Sequence, residues 1–179
     1  MGLKEHKDTA VSVRCKIITV SDTRNEETDK SGKLMNTLIH DYGHQVTAYQ
    51  IVKDNQEEIT TAIQAGLNQT EVDVVLLNGG TGIAKRDVTI ETVNKLFDKE
   101  IPGFGELFRM LSYQEDIGSA AILSRATAGT ANNKAIFATP GSSGAVKLAM
   151  EKLILPEISH IIKELKKDLS QKSIIPLHN

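Results

Sequence analysis

The feature that most constrains the fold of this chain is a short apolar run that ends in a glycine-rich turn. Residues 72–77 are mostly β-branched or aliphatic, which is typical of a strand buried on both faces of a parallel sheet. Asn78 follows, and then three glycines and a threonine at 79–82. Glycine tolerates positive φ and lets a backbone N–H approach a ligand. The turn therefore predicts a loop that binds phosphate or polyphosphate.

This glycine turn, residues 79–82, does not match two familiar phosphate loops. Lys85 stands where a dinucleotide-binding fingerprint has its third glycine, and the G-x-x-x-x-G-K-[ST] spacing is absent from the sequence. Taken alone, the turn is equally consistent with a loop that has no ligand. The neighbouring polar loops therefore decide its interpretation.

The composition indicates one domain with an ordinary hydrophobic core. The chain has 179 residues, 40% hydrophobic side chains and a formal net charge of −2. Its aromatic content of 4% offers few rings for stacking on bases, so nucleic acid is not an expected partner. The single cysteine, Cys15, lies in an apolar run and predicts core packing in a reducing compartment. Because the sequence has no signal peptide and no apolar run of bilayer-spanning length, we expect a cytoplasmic protein without membrane contact.

Strand-like and helix-like segments alternate along the chain, which predicts an α/β fold with a mostly parallel sheet. Apolar side chains at helical spacing between the first three strands indicate crossover helices. Another helix is expected over about 144–154, and a further amphipathic helix after Pro156. The predicted strands cover residues 15–20, 45–51, 72–77 and 135–139.

The segment 101–129 fits this alternation poorly. The pattern in this segment predicts a helix followed by an irregular stretch, and we expect the whole segment to be an excursion that lines a pocket or contacts another subunit. We expect a single domain over residues 13–169, between flexible tails at 1–12 and 170–179.

Three strand-to-helix loops carry polar side chains that can meet at one edge of the sheet. Ser21 and Asp22 follow the first strand, the glycine turn follows the third, and residues 140–144 follow the last. Ligands of open parallel sheets lie beyond the carboxyl ends of the strands, where such loops converge. In the last loop a helix N-terminus can bind an anion, although Ser142 taken singly is better explained as an N-cap.

Two aspartates are candidates for metal-dependent chemistry at this edge. Asp54 begins a capping box with Glu57, and capping alone is a sufficient explanation for it. Asp87 precedes Thr89, a predicted N-cap, and is therefore free to face a ligand. If both carboxylates face a polyphosphate, their repulsion at ~4 Å is about 4 kcal/mol at an effective dielectric constant of roughly 20. A cation must then separate them, and Mg²⁺ fits best because it binds through one or two carboxylates plus phosphate oxygens.

The sequence does not support zinc or nucleophile-based chemistry. The five histidines form no zinc-binding pair, and no convincing Ser-His-Asp set is present. Lys85, Arg86 or Arg125 can neutralise further negative charge, although solvated surface positions are favoured for Lys85 and Arg86. Chemistry at this edge would depend on positioning and electrostatics, as in phosphoryl or nucleotidyl transfer.

Several short motifs, taken in order along the chain, resemble one family. They are Ser21-Asp22, Asp29-Lys30-Ser31-Gly32, Asn78-Gly79-Gly80-Thr81-Gly82, Arg86-Asp87-Val88-Thr89, Phe108-Arg109-Met110-Leu111-Ser112, Leu123-Ser124-Arg125-Ala126 and Pro140-Gly141-Ser142. From about residue 13 to residue 168 the sequence resembles the MoaB/MogA family of molybdenum cofactor biosynthesis proteins, most closely its MoaB branch.

The resemblance implies a doubly wound, three-layer α/β sandwich of the molybdopterin-binding type, assembled as a homotrimer or homohexamer. It implies a site for molybdopterin and, as in adenylylating members, Mg²⁺- and ATP-dependent adenylylation of that pterin with release of pyrophosphate. Asp54 and Asp87 match the family's catalytic and metal-binding acidic positions. The expected contacts to nucleotide or pterin are Ser21, Asp22, Asn78, Gly79, Gly80, Thr81, Gly82, Ser112, Pro140, Gly141, Ser142 and Ser143.

Two other functions stay open at this point. A non-catalytic molybdopterin-binding or assembly protein of the same pathway would have the same fold and pocket, without a need for ATP and Mg²⁺. An unrelated flavodoxin-like protein would bind ATP or FMN and have no affinity for the pterin. Other molybdenum cofactor biosynthesis proteins are candidate partners in the first two cases.

Overall fold

The fold is built on one six-stranded, mostly parallel sheet. A computed structural model describes residues 11–171; residues 1–10 and 172–179, which hold most of the two predicted tails, lie outside the described residues. The strands are β1 (Arg14–Val20), β2 (Gln45–Val52), β3 (Val74–Asn78), β4 (Lys99–Glu100), β5 (Thr127–Ala131) and β6 (Lys134–Thr139). Their order in the sheet is β2-β1-β3-β6-β5-β4. β1, β2, β3 and β6 run parallel, whereas β5 is antiparallel to β6 and β4 is antiparallel to β5.

The helices cover both faces of this sheet and make a three-layer sandwich. They are α1 (Lys30–Asp41), α2 (Gln56–Asn68), α3 (Thr89–Asn94), α4 (Pro102–Glu115), α5 (Ser143–Ala149) and α6 (Leu155–Gln171), with a 3₁₀ helix at Gly118–Leu123. One face carries α1, α4, α5 and α6, which bury side chains such as Phe108 against the sheet. The other face carries α2 and α3, with Ile63 in its core. Neighbouring residues of β1 alternate between the two cores, Ile17 in the first and Ile18 in the second.

This architecture confirms the predicted α/β sandwich and all four predicted strands. The third strand is shifted, because it begins at Val74 rather than Val72 and extends to Asn78. Cys15 is fully buried, as predicted, and burial raises the pKa of its thiol to about 12. Among the described residues, no helix is both long enough and apolar enough to cross a bilayer.

The excursion is more ordered than the sequence pattern predicts. It contains the expected helix, α4, and then the 3₁₀ helix and the antiparallel strand β5. β5 and β6 form a hairpin whose two turn residues, Asn132 and Asn133, have φ of 50° and 57°. Two left-handed residues are the signature of a type I′ turn. The Asn132-Asn133 pair is therefore a sequence signal for this hairpin, which the predicted alternation of strands and helices did not include.

The helical region after β6 is continuous rather than divided at Pro156. A π-helical turn, Met150–Ile154, joins α5 to α6, and α6 begins at Leu155. Proline lacks an N–H, and its ring collides with the carbonyl four residues earlier in a regular α-helix. The wider π turn directly before Pro156 relieves that conflict. The proline therefore alters the winding of the helix without ending it.

Candidate functional site

A cleft of about 400 Å³ lies at the edge of the sheet where the parallel strands end. The loops after β1, β2, β3 and β6 reach it, as does the segment after the 3₁₀ helix. The parallel register aligns these strand ends, which brings residues distant in sequence together. The lining residues are Val20, Ser21, Asp22, Thr23, Arg24, Asp54, Gly79, Gly80, Thr81, Gly82, Arg86, Asp87, Leu123, Ser124, Arg125, Pro140 and Gly141.

The glycine turn has no room for side chains at two positions. Gly79 and Gly80 have φ of 95° and 64°, a region that other residues rarely adopt. A Cβ on Gly79 would collide with the backbone carbonyl of Val20, and one on Gly80 would collide with the Thr89 hydroxyl. That second Cβ would also lie 2.7 Å from Asp54 Oδ1. Glycine is thus required for the backbone of this turn to pack against the first strand and the Asp54 loop.

The carbonyl groups of Gly80, Thr81 and Gly82 are hydrogen-bonded, whereas the N–H groups of the same three residues are not. The Gly80 carbonyl accepts a hydrogen bond from Thr89 N at 3.0 Å. Arg125 donates from Nε to the Thr81 carbonyl at 2.9 Å and from Nη2 to the Gly82 carbonyl at 2.6 Å. Within the described part of the chain, no hydrogen bond uses the N–H of Gly80, Thr81 or Gly82. A turn with bonded acceptors and unbonded donors is suited to an anion.

Three carboxylates share the cleft with this turn. Asp54 N donates to Asp22 Oδ1 at 3.1 Å, and Asp87 Oδ2 accepts from Ala84 N at 3.0 Å. Burial raises the pKa of the Asp54 carboxyl, and the negative charges of Asp22 and Asp87 raise it further. Asp54 and Asp87 therefore line one cleft, as the repulsion argument from the sequence requires.

The capping explanation for Asp54 is wrong. Helix α2 begins at Gln56, and its N-cap is Asn55, whose Oδ1 accepts from Glu57 N at 2.8 Å and from Glu58 N at 3.1 Å. Asn55 has the extended backbone of an N-cap, with φ of −136° and ψ of 128°. The carboxylate of Asp54 is left to face the cleft.

The expected N-cap at Thr89 is displaced by one residue. Val88 holds the N-cap position of α3, and Thr89 is the first helical residue. The Thr89 hydroxyl is completely buried and has no hydrogen-bond partner among the described residues. The hydroxyl lies beside Gly80 and is the atom with which a Cβ on that glycine would collide first.

A buried network fixes the loop after β6 against the loop after β1. Arg24 Nη2 donates to the Gly141 carbonyl at 2.8 Å, and Ser31 Oγ donates to the same carbonyl at 2.6 Å. Arg24 Nη1 also lies 3.6 Å from Asp29 Oδ1. Burial alone would raise the pKa of Asp29, but hydrogen bonds from Thr19, Tyr49 and the Gly32 amide, with the charge of Arg24, lower it. The charged carboxylate of Asp29 therefore holds Arg24 in place.

Four of the expected contact residues lie outside the cleft lining. Asn78 is completely buried, and its Nδ2 donates to Thr19 Oγ1 at 2.9 Å. Ser112 is buried within α4. Ser142 is the N-cap of α5 and accepts from Ala145 N at 3.2 Å, so the capping interpretation of this serine is confirmed. Ser143 is the first residue of α5 and is exposed.

The other expected contacts line the cleft, together with residues that the sequence analysis did not select. Ser21, Asp22, Asp54, Asp87, Pro140, Gly141 and the four residues of the glycine turn all belong to the lining. The additions are Thr23, Arg24, Leu123 and Ser124, and Arg86, for which a surface position was favoured. Leu123 and Ser124 come from the expected excursion, which confirms that it lines a pocket. The signal for Arg24 was weak, because a charged residue just after a loop motif is common on protein surfaces.

The metal-binding capacity of the protein side chains is limited. The described residues contain no group of three or more His, Cys, Asp or Glu side chains that could hold a metal ion. Asp54 and Asp87 could supply two ligands, and a bound phosphate compound would have to supply others. Mg²⁺ commonly binds in this way, through one or two carboxylates and substrate phosphates.

Comparisons with known proteins identify the family to which this chain is similar. Residues 16–160 match a family model described as a probable molybdopterin binding domain. The chain is 62% identical over 169 residues to molybdenum cofactor biosynthesis protein B of Bacillus subtilis (strain 168), covering 94% of this chain and 99% of the relative.

Solved structures with similar folds carry related descriptions. A crystal structure of a molybdenum cofactor biosynthesis protein B has a TM-score of 0.87 and 64% identity, covering 89% of this chain and 99% of that one. The tungsten cofactor synthesizing protein MoaB from Pyrococcus furiosus has a TM-score of 0.77 and 39% identity, covering 87% of this chain and 98% of that one.

Proposed function

The chain belongs to the molybdopterin-binding family of molybdenum cofactor biosynthesis proteins, and on that premise we propose that it adenylylates molybdopterin with ATP. The terminal phosphate oxygen of molybdopterin attacks the α-phosphorus of ATP. A new phosphoanhydride P–O bond forms as the bond from the α-phosphorus to the pyrophosphate oxygen breaks. The products are adenylylated molybdopterin and pyrophosphate.

The observation that carries this proposal is the placement of two carboxylates, Asp54 and Asp87, beside a turn in which the N–H groups of Gly80, Thr81 and Gly82 are unbonded. Burial raises the pKa of Asp54, and the negative charges of Asp22 and Asp87 raise it further. The N–H groups of Gly80, Thr81 and Gly82 attract anions. A site that needs a cation and an anion together fits a metal-bound polyphosphate better than it fits either ion alone.

The protein groups act by positioning and by electrostatics. The N–H groups of the turn bind phosphate oxygens and offset the negative charge that develops during transfer. Arg125 keeps the Thr81 and Gly82 carbonyls directed away from the ligand by bonding them. Because no protein nucleophile is involved, the two substrates must be held in line for direct attack.

Asp54 and Asp87 are the residues that would hold Mg²⁺. When bound, the ion would neutralise charge between these carboxylates and the triphosphate. The repulsion between Asp54 and its neighbours Asp22 and Asp87 favours a cation at this position. Without a cation, the same carboxylates would repel ATP.

The test is to incubate the purified protein with molybdopterin, ATP and Mg²⁺ and to quantify adenylylated molybdopterin and pyrophosphate. We expect product from the wild type and a decrease of about 100-fold or more for Asp87→Asn, since a metal-binding carboxylate is lost. Asp41→Asn is the matched control, because Asp41 is an exposed carboxylate at the end of α1. This control is expected to keep wild-type activity.

The pattern of binding and turnover separates the possible functions. Molybdopterin binding without product, in the wild type as in Asp87→Asn, would contradict the proposal and favour a non-catalytic binding protein. Binding of ATP or FMN with no affinity for molybdopterin would point to a general nucleotide binder. Product formation that is unchanged in Asp87→Asn would show that Asp87 is not part of the catalytic site.

A further inference from the structure

The three arginines that line the cleft, Arg24, Arg86 and Arg125, have different interactions. Arg24 is bonded to the Gly141 carbonyl and pairs with Asp29. Arg125 is bonded to the Thr81 and Gly82 carbonyls and forms an ion pair with Glu91. Both arginines therefore hold loops of the site, although Arg24 Nη1 is buried and has no hydrogen-bond partner among the described residues.

Arg86 differs from the other two arginines. It is exposed and lines the cleft, yet among the described residues its side chain forms no hydrogen bond or ion pair. It lines the same cleft as Asp54 and Asp87. The guanidinium is therefore beside these carboxylates and has all of its donors available among the described residues.

We propose that Arg86 binds a phosphate group of the substrate, whereas Arg24 and Arg125 are positioning residues that hold the surrounding backbone. The assignment rests on the proposed function for the identity of the ligand, but its chemistry is that of any phosphate in this cleft. A planar guanidinium with unbonded donors recognises two phosphate oxygens at once. Because Arg86 directly precedes Asp87, a guanidinium and a carboxylate on adjacent residues would face the same ligand.

A second argument comes from the balance of charge in the cleft. The lining contains three carboxylates, from Asp22, Asp54 and Asp87. Because Arg24 and Arg125 pair with Asp29 and Glu91, which are outside the lining, their charges are partly compensated there. Arg86 is left to oppose the repulsion between the cleft carboxylates and an incoming phosphate.

The phosphate could belong to ATP or to molybdopterin, and separate titrations distinguish them. Mg²⁺–ATP and molybdopterin are each titrated into wild type, Arg86→Ala, Arg86→Lys and Lys85→Ala by calorimetry. We expect Arg86→Ala to weaken the binding of the ligand that Arg86 contacts by about 10-fold or more, as for loss of a charge-assisted hydrogen bond. Arg86→Lys should restore part of the loss, because lysine keeps the charge without the planar fork.

Lys85→Ala is the matched control. Lys85 is an exposed neighbour of Arg86 that does not line the cleft, so its removal changes net charge without removing the proposed contact. We expect less than about a twofold effect on affinity, which is the size of a screened surface charge. An equal loss in Lys85→Ala and Arg86→Ala would overturn the proposal in favour of a general charge effect.

Thermal unfolding without ligand separates binding from positioning. Arg86→Ala should leave the unfolding temperature unchanged, whereas Arg125→Ala should lower it by several degrees, since three carbonyl or carboxylate partners lose their donor. Wild-type affinity of Arg86→Ala for both ligands would contradict the proposal, as would a wild type that binds neither. Arg86-dependent binding without adenylylated product would support this inference while the proposed transfer reaction failed.

Discussion

At the scale of single residues, Gly80 shows how tightly the backbone of the cleft is constrained. Its φ of 64° disfavours any side chain. Independently, a Cβ there would collide with Thr89 and crowd Asp54. Gly43 shares the first constraint, with φ of 80°, but a Cβ on it would have no neighbour within 4 Å. Substitutions at the two glycines therefore distinguish the cost of backbone strain from the cost of crowding.

We predict that Gly80→Ala destabilises the protein by about 1–3 kcal/mol and lowers adenylylation by about 100-fold, because the turn and Asp54 must move. Gly43→Ala should cost about 1 kcal/mol through strain alone and should leave turnover intact. Urea unfolding and the product assay measure both effects. Equal turnover in the two variants would show that the packing around Gly80 does not matter for catalysis.

At the scale of elements, Asp73 attaches helix α6 to the start of β3, at the edge of the sheet opposite the cleft. Its carboxylate accepts from Arg14 N and Nε at 3.0 Å, and Lys166 Nζ donates to it at 2.8 Å. Burial acts to raise the pKa of Asp73, but the hydrogen bonds from Arg14 and Lys166 outweigh it and hold that pKa well below its usual range. The attachment therefore depends on the ionised carboxylate.

We predict that Asp73→Asn lowers the free energy of unfolding by about 2 kcal/mol at neutral pH, the scale of hydrogen bonds to a charged group. Because the pKa is depressed in the folded state, this stabilisation is present above the unfolded-state pKa of about 3.9 and is lost as the pH falls toward the folded-state value. Urea unfolding should show a difference between wild type and variant that narrows below about pH 4. Asp41→Asn is the surface control, and a difference independent of pH would refute the role of the charge.

At the scale of the whole molecule, exposed apolar side chains are concentrated on α4 and the 3₁₀ helix. Of the large hydrophobic residues exposed in the described range, six lie between Leu107 and Leu123, and Ile122 is 84% exposed. A patch of this kind commonly marks a protein interface. It favours self-association of this chain; the homotrimer or homohexamer remains what the family resemblance implies.

We predict that the purified protein is a trimer or hexamer and that Ile122→Asp shifts it toward smaller species, because a buried carboxylate is costly in an apolar interface. Light scattering after size exclusion gives the mass directly. Tyr42→Asp is the control, since Tyr42 is 48% exposed and lies outside the patch. A wild-type monomer, or unchanged assembly of Ile122→Asp, would rule out this surface as the interface.

Local sequence patterns were sufficient to predict much of the fold. Apolar runs and helical spacing indicated the four parallel strands and the helices that cover them. The buried side chains of a helix or strand recur at a fixed spacing, so they appear as a pattern among neighbouring residues. The glycine turn was also predictable, since positive φ selects glycine locally. β5 was not predicted, and a separate helix was expected after Pro156; a turn signal and a π turn modify the simple pattern in these two regions.

Only the folded structure shows which polar side chains of the cleft already have partners. Asp54 does not cap α2, because Asn55 does, whereas Arg24 Nη2 donates to the Gly141 carbonyl, 117 residues away in sequence. Arg125 is engaged in the same way by carbonyls of the glycine turn. Sequence patterns do not report such partners, because hydrogen bonds between distant loops form only when the parallel strands align their ends at one edge of the sheet.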